Sequence, residues 1–125
     1  MDSVVHFEVP TRDLNRAKKF YEAVFNWQLQ DIPEMNYTIA RTTEVDSNQM
    51  PLKSGAINGG MVKDDPVVGT VIVMDVQNID DSIEKIKANG GTMLMEKTTV
   101  GDMGLYARAK DTEGNIIGVW QALKK

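Results

Sequence analysis

Residues 6–27 of the chain read HFEVPTRDLNRAKKFYEAVFNW, and residues 71–91 read VIVMDVQNIDDSIEKIKANGG. Each stretch begins with the alternating pattern of a β-strand, continues through a short turn, and ends with the apolar spacing of a helix. Internal repetition marks duplicated folding units. A repeated β–α unit in a chain of 125 residues therefore predicts two similar modules.

The first repeat predicts a strand with two different faces, followed by a capped helix. Alternation places His6 and Glu8 on one face, and an apolar set suited to packing under a helix on the other (Val5, Phe7 and Val9). Pro10 has no N–H for an internal ladder, so we expect the strand to end there. Asp13 can cap the helix that follows. In the second repeat, Asn78 is the matching cap.

Further strand patterns follow each helix and complete the order βαβββ twice. In the first half they cover residues 27–32, 37–41 and 55–62, and in the second half residues 92–100, 105–110 and 115–121. The polar segment 43–54 contains Pro51 and predicts a mobile loop, whose role stays open. We expect a first module at residues 1–62, a linker at 63–69 and a second module at 70–125.

The composition narrows the classes of partner. The net charge of −4 argues against a nucleic-acid backbone or an anionic membrane as the main partner. No segment is apolar for long enough to span a bilayer, and no signal-peptide pattern opens the chain. The chain has no cysteine and one histidine, His6. We therefore expect a cytoplasmic protein without disulfides or zinc–sulfur sites.

Three groups of residues resemble sequence motifs of the vicinal oxygen chelate superfamily. This superfamily includes glyoxalase I, bleomycin-resistance proteins and extradiol dioxygenases. The first runs from His6 through Asp13-Leu14 and Phe20-Tyr21 to Val24-Phe25-Asn26-Trp27. The second is Asn89-Gly90-Gly91 at the end of the second helix, and the third is Asp111-Thr112-Glu113-Gly114-Asn115 before the last strand. Thr112 stands where the family usually has proline. The resemblance covers nearly the whole chain.

The resemblance implies an α+β fold in which two βαβββ modules form a cup-shaped, mostly antiparallel sheet. The modules of such a cup pair within one chain or swap between two chains, and both arrangements remain open here. Family members are commonly dimers, so we expect a homodimer. The resemblance also implies a small-molecule ligand bound in the cup or at a dimer interface.

The metal positions of the family are largely lost in this sequence. His6 matches the ligand position on the first strand of the first half, whereas the matching position of the second half falls on Val71. The carboxylate position after the DTEGN turn falls on Gly118, and its counterpart falls within residues 58–60, where Asn58 offers a weak oxygen. One imidazole without a carboxylate partner holds a metal poorly. We expect no cofactor, although a divalent metal on His6 stays an alternative.

Several residues are candidates for ligand binding or catalysis. The family positions and their neighbours predict a ligand-binding set of His6, Asn58, Val71, Val73, Gly118 and Trp120. Glu8 and Tyr106 are candidate general acids or bases if the cup removes them from water. For Glu8 a wet rim is the simpler interpretation, and for Tyr106 a structural place in the sheet. The strand glycines Gly59, Gly60 and Gly118 leave room for a ligand or for contact between modules.

Three functions remain possible. The first is a metal-free, glyoxalase-like protein that binds a small organic ligand. The second is a metal-dependent enzyme that uses His6, either a lyase of the lactoylglutathione-lyase type or a dioxygenase. The third is an interaction module without catalysis. Because one fold carries many functions, the resemblance alone does not choose among them.

Overall fold

The computed structural model describes residues 1–63 and 69–123. It confirms the α+β class and the order βαβββ in both halves. The first half contains β1 (Val4–Thr11), α1 (Leu14–Phe25), β2 (Gln28–Ile32), a 3₁₀ helix (Pro33–Met35), β3 (Tyr37–Arg41) and β4 (Asn58–Lys63). The second half contains β5 (Val71–Asp75), α2 (Ile79–Ala88), β6 (Thr92–Val100), β7 (Gly104–Lys110) and β8 (Ile116–Ala122).

The chain forms two compact units. We call His6–Thr70 the first module, and Val71–Lys125 together with Met1–Val5 the second module. The boundary between the two units falls within β1. Residues before the boundary bond to the second module, where the Ser3 carbonyl accepts a hydrogen bond of 2.9 Å from the Asp75 N–H. Residues 64–68, most of the predicted linker, lie outside the described residues.

In the first module the strand order is β2-β3-β4-β1. β1 and β4 are parallel, whereas the other two pairs are antiparallel. The prediction that Pro10 ends β1 is wrong, because the strand continues to Thr11 and pairs Pro10 with Val62. Proline fixes φ near an extended value and removes only a donor. The Thr11 hydroxyl adds a donor of its own to the Val62 carbonyl, at 3.1 Å.

The second module has the corresponding strand order, β5-β8-β7-β6. Its first and last strands, β5 and β8, are again parallel, and the other two pairs are antiparallel. The strand pairs of each module are therefore mostly antiparallel, with one parallel pair. Each parallel pair joins the strand before a helix to the last strand of the same module, which is how the repeated sequence produces a repeated sheet.

Both helices begin with the predicted caps. The Asp13 carboxylate accepts from the Arg16 N–H at 3.1 Å, and the Asn78 side-chain oxygen accepts from the Asp81 N–H at the same distance. These bonds satisfy N–H groups that have no partner within the helix. In residues 1–63 and 69–123, no helix has the length and hydropathy that crossing a membrane requires.

The helices differ in how deeply they pack. In α2, Ile79 and Ile83 are buried, and they join a compact core with Val76, Ala107 and Val119. α1 has no buried residue. Tyr21 of α1 stacks on Trp27, the first residue after the helix cap, with ring centroids 4.6 Å apart. The same βαβββ order therefore produces two different interiors.

Candidate functional site

The first module joins His6 on β1 to Tyr37 on β3. The His6 Nε2 atom lies 2.6 Å from the Tyr37 phenol oxygen, a short hydrogen bond. The two rings are nearly parallel, at 16°, with centroids 6.4 Å apart. Because β4 lies between β1 and β3 in the sheet, the Tyr37 side chain crosses β4 to reach His6.

Gly60 makes this crossing possible. It pairs with Glu8 on β1 and with Ile39 on β3. A Cβ atom at Gly60 would collide with the hydroxyl group and the ring of Tyr37. A Cβ atom at the neighbouring Gly59 would collide with the backbone carbonyl and the ring of Phe7. The room that these glycines leave is therefore occupied by aromatic rings.

The His6–Tyr37 pair is partly shielded from water and interacts with a neighbouring carboxylate, Glu8. Burial lowers the pKa of His6 below its usual value of 6.5, and the negative charge of Glu8 opposes this by raising the pKa. The imidazole is therefore neutral at neutral pH, with one nitrogen donating and the other accepting. Glu8 is only 6% exposed, so the expectation of a wet rim is wrong for it. A neutral imidazole bonded to a phenol can exchange a proton with it.

Asn58, a predicted ligand-binding residue, contacts the backbone. Its side-chain oxygen accepts from the N–H groups of Thr42 and Thr43, at 2.8 and 3.1 Å. The Thr42 hydroxyl donates to the Ile57 carbonyl at 2.6 Å, which ties the same two segments together. Asn58 therefore closes the base of the loop between β3 and β4, and this oxygen is already engaged.

The second module repeats the glycine–tyrosine arrangement. Tyr106 on β7 corresponds to Tyr37, because each lies two residues before the partner of a strand glycine. A Cβ atom at Gly118 would lie 2.7 Å from the Tyr106 hydroxyl oxygen. The Tyr106 oxygen accepts a hydrogen bond of 3.1 Å from the Nε–H of Arg108. Each module thus places a phenol over a glycine of its last strand.

The other residues predicted to bind a ligand in the second module are apolar side chains that are buried or half-buried in the sheet. Val71 and Val73 are 1% exposed, and Val73 pairs with Gly118. By strand register, Val73 corresponds to Glu8 in the first module. Trp120 pairs with Tyr106, and its ring covers Gly104, where a Cβ atom would lie 2.5 Å from the indole. Trp120 is therefore half-buried against the sheet.

The model of the Glyoxalase/Bleomycin resistance protein/Dioxygenase superfamily matches residues 3–119. The chain belongs to this superfamily. The resemblance carried by His6, the NGG turn and the DTEGN turn is thereby confirmed, and the chain is a glyoxalase-like domain of the vicinal oxygen chelate type.

The chain is similar in sequence to curated proteins and similar in fold to solved structures. The chain is 30% identical over 120 residues to "Putative glyoxylase CFP32" of Mycobacterium bovis, covering 92% of this chain and 44% of that protein. The chain thus spans less than half the length of this curated relative. A superfamily member from Vibrio splendidus aligns with a TM-score of 0.64, 12% identity and coverage of 97% and 99% of the two chains. Methylmalonyl-CoA epimerase of Streptomyces coelicolor, solved with 2-nitronate-propionyl-CoA, aligns with a TM-score of 0.65 and 13% identity. The alignment covers 95% of this chain and 96% of that chain.

The residues at the superfamily's metal positions do not fit a metal. Val71 has no side-chain donor atom, and the carboxylate position after the DTEGN turn is Gly118, whose space holds Tyr106. Its counterpart was expected within residues 58–60, where the Asn58 oxygen accepts from two backbone N–H groups and the space above Gly60 holds Tyr37. Within residues 1–63 and 69–123, no three His, Cys, Asp or Glu side chains are grouped so that they could hold an ion. A metal bound at the His6 Nε2 atom would also displace its Tyr37 partner.

Two functional contacts escaped the sequence analysis. The partner of His6 is Tyr37 and the partner of Tyr106 is Arg108, and neither Tyr37 nor Arg108 is among the predicted site residues. A signal was present in β3 and β7, since YTIAR (residues 37–41) and YARAK (residues 106–110) share a tyrosine, an alanine and a final basic residue. This second internal repeat marks the two phenols as equivalent.

Proposed function

We propose that this glyoxalase-like domain binds a small organic ligand without a metal ion, on the face of the first module's sheet that carries His6 and Tyr37. The observation that carries the proposal is the position of Tyr37 over Gly60. The resemblance implies a metal-ligating carboxylate within residues 58–60, and in this chain a phenol lies over Gly60 and reaches His6 instead.

The chemistry of this face suits a ligand with a polar oxygen atom. A neutral imidazole and a phenol donate and accept hydrogen bonds to carbonyl or hydroxyl groups. The carboxyl group of Glu8 lies on the same face of β1 as His6 and interacts with it electrostatically. Relatives with this fold bind small molecules, such as the propionyl-CoA derivative in the epimerase from Streptomyces coelicolor.

A metal-dependent enzyme is the second candidate, and the relative named as a glyoxylase favours it. Such a lyase or dioxygenase would coordinate its metal through His6. The cost would be the 2.6 Å bond to Tyr37, and no carboxylate stands at Gly60 or Gly118 to complete the ligand set. The metal-free function is therefore better supported by the contacts of the first module.

A fluorescence titration tests the metal-free function. Planar carbonyl and carboxylate compounds are screened for quenching of the two tryptophans in the presence of a chelator. Binding that persists with the chelator is expected, with Tyr37→Phe and His6→Gln each weakening it at least about tenfold, the value of one lost hydrogen bond of 1.4 kcal/mol. Tyr106→Phe is the matched control and should change the affinity less than Tyr37→Phe. Equal losses in both tyrosine variants would contradict the assignment to the first module.

We also propose that the chain forms a homodimer and acts in the cytoplasm. The lack of cysteine supports a reducing compartment. The exposed apolar side chains of α1 support self-association, since patches of this kind mark interaction surfaces.

A further inference from the structure

Arg41 lies on the same face of the first module's sheet as His6 and Tyr37. Side chains alternate along β3, so Arg41 shares the face of Tyr37. The register of β3 and β4 continues to place Arg41 beside Asn58, which pairs with His6 on β1. Since neighbouring strands lie about 4.8 Å apart, the Cα atoms of Arg41 and His6 are separated by about 10 Å. This separation is within the span of one small organic ligand.

The guanidinium group of Arg41 has a neutral partner. It donates to the side-chain carbonyl of Gln49 at 2.7 Å. Within residues 1–63 and 69–123, no carboxylate lies within ion-pair distance of Arg41. Glu8, the acidic residue on the same face of β1, pairs with Gly60, two residues further along the sheet than Asn58. The half-buried charge of Arg41 therefore suits a carboxylate from outside the module, because a guanidinium binds two carboxylate oxygens at once.

Gln49 reaches Arg41 from a backbone position that favours glycine. In the turn at residues 46–50, the Asp46 N–H donates to the Met50 carbonyl at 2.9 Å, and the Gln49 N–H donates to the Asp46 carbonyl at 3.0 Å. The Asp46 carboxylate accepts from the N–H groups of Asn48 and Met50, so it closes the turn. Gln49 has a left-handed φ of 65°, which is strained for any residue with a side chain. What glutamine adds here, and glycine could not, is the bond to Arg41.

We infer that Arg41 binds a carboxylate group of the ligand, and that the Gln49 amide stands in for this carboxylate until the ligand displaces it. The exchange is favourable, because a charged carboxylate bonds to a guanidinium more strongly than one neutral amide oxygen does. The ligand is then an organic acid with a carbonyl or hydroxyl oxygen several bonds from its carboxylate, and that oxygen contacts His6 and Tyr37. The inference rests on the proposed ligand site and adds the class of ligand and a specificity-determining residue.

Calorimetric titration with matched acids and esters tests the inference. Benzoylpropionate and benzoylvalerate, two keto acids of different length, and their methyl esters are titrated into the full chain with a chelator present. At least one acid should bind at least about 30-fold more tightly than its ester, since the ester loses charge-assisted hydrogen bonds. Arg41→Gln should abolish this difference by weakening the acid and leaving the ester unchanged. Arg41→Lys keeps the charge without the planar fork and should retain part of the difference.

Gln49→Gly separates carboxylate binding from a purely structural role of the bond. Gln49→Gly and Arg41→Gln both break the bond between these two residues, so they should act alike where the bond only fastens the loop. The inference predicts opposite effects, because Gln49→Gly removes a competitor of the ligand and should tighten acid binding about fivefold. Arg12→Gln is the matched control. It removes an exposed positive charge between β1 and α1 and should leave the affinity for the acid unchanged.

Three results would overturn the inference. Acid and ester that bind equally to the unmodified chain exclude a carboxylate contact and leave the proposed ligand site intact. A loss of acid binding in Gln49→Gly that matches the loss in Arg41→Gln assigns the bond to the loop alone. Absence of acid binding also refutes the inference, and ester binding then decides whether the proposed site survives. Circular dichroism checks that Arg41→Gln keeps its fold.

Discussion

The two modules share one topology but differ in the polar side chains that they bury. The second module holds a compact apolar core under α2, built from Val76, Ile79, Ile83, Ala107 and Val119. Among residues 1–63 and 69–123, the buried polar or charged side chains are Glu8, Thr11 and Thr38, and all three lie in the first module. One copy of the repeat has kept an ordinary core, and the other has kept polar groups inside its sheet.

This difference suggests how a duplicated fold divides its tasks. Apolar burial contributes most of the free energy of folding, whereas buried polar groups cost free energy unless they are hydrogen-bonded. The second module therefore contributes stability through α2. The first module instead holds hydrogen-bonding groups in and beside its sheet, among them His6, Glu8 and Tyr37, where we propose that the ligand binds.

The largest expected effect is the loss of an α2 core side chain. Ile79→Ala should lower the free energy of unfolding by about 3 kcal/mol, because it leaves a cavity where the side chain is 1% exposed. Val24→Ala on α1 should cost less than about 1 kcal/mol in the monomer. Urea denaturation at a concentration below dimer formation measures both. Similar costs for the two helices would remove the contrast between the modules.

A methyl group at Gly60 should cost about 2 kcal/mol, because it forces Tyr37 out of its position. The loss should shrink to below about 1 kcal/mol in a Tyr37→Leu background, where the phenol ring is absent. Denaturation of the two single variants and the double variant gives the coupling between the positions. Gly118→Ala with Tyr106→Leu repeats the test in the second module. Additive costs would show that the rings do not occupy the glycine space.

The pH dependence of the free energy of unfolding should show that the His6 imidazole is neutral in the folded chain. Its folded pKa lies below the unfolded value of 6.5, so the unfolded chain binds a proton first as the pH falls. The stability that comes from neutral His6 is fully present above pH 6.5 and is lost as the pH falls through the folded pKa. His6→Gln should therefore lose less stability than the unmodified chain between pH 7.5 and about pH 5.

The carboxylates of Asp31 and Asp111 change the free energy of unfolding at a lower pH than His6 does. Hydrogen bonds from Lys18 and Thr38 lower the pKa of Asp31, and backbone hydrogen bonds from Asn115 and Glu113 lower that of Asp111. Their contributions are therefore lost only below pH 3.8. Parallel stability curves for His6→Gln and the unmodified chain above pH 5 would contradict the buried, neutral imidazole.

The smallest expected loss of stability comes from breaking two ion pairs. In one pair the helix residue carries the positive charge, and in the other the strand residue carries it. Each joins a helix to the next strand, Lys18 to Asp31 at 2.8 Å and Asp80 to Lys97 at 2.9 Å. Lys97→Ala should cost less than about 0.5 kcal/mol, since this pair is exposed. Lys18→Ala should cost more, because its partner Asp31 also accepts from the buried Thr38 hydroxyl at 2.8 Å. Thermal denaturation of the two alanine variants ranks them, and the reverse order would count against the polar interior of the first module.

Local patterns in the sequence predicted the fold well. Alternation, helical spacing and the capping residues Asp13 and Asn78 act over a few residues, so each module's order and most strand bounds followed from them. Pro10 was misjudged because its pairing depends on Val62, which lies far away in the chain.

The candidate site was harder to predict for the same reason. His6 could be singled out as the chain's lone histidine, but its contact with Tyr37 depends on β4 lying between their strands. The burial of Glu8 likewise depends on packing rather than on its own strand pattern. Sequence identified the polar face of β1, and only the sheet order showed which side chain meets it.

Metal analysis distinguishes a metal-free site from a metal centre on His6. The purified chain and His6→Ala are equilibrated with Zn²⁺, Mn²⁺, Ni²⁺ or Fe²⁺, desalted, and measured by elemental analysis. Because tyrosines fill both glycine positions, the account predicts far less than one ion per chain, with no difference between the two proteins. One tightly bound ion per chain that disappears in His6→Ala would contradict it.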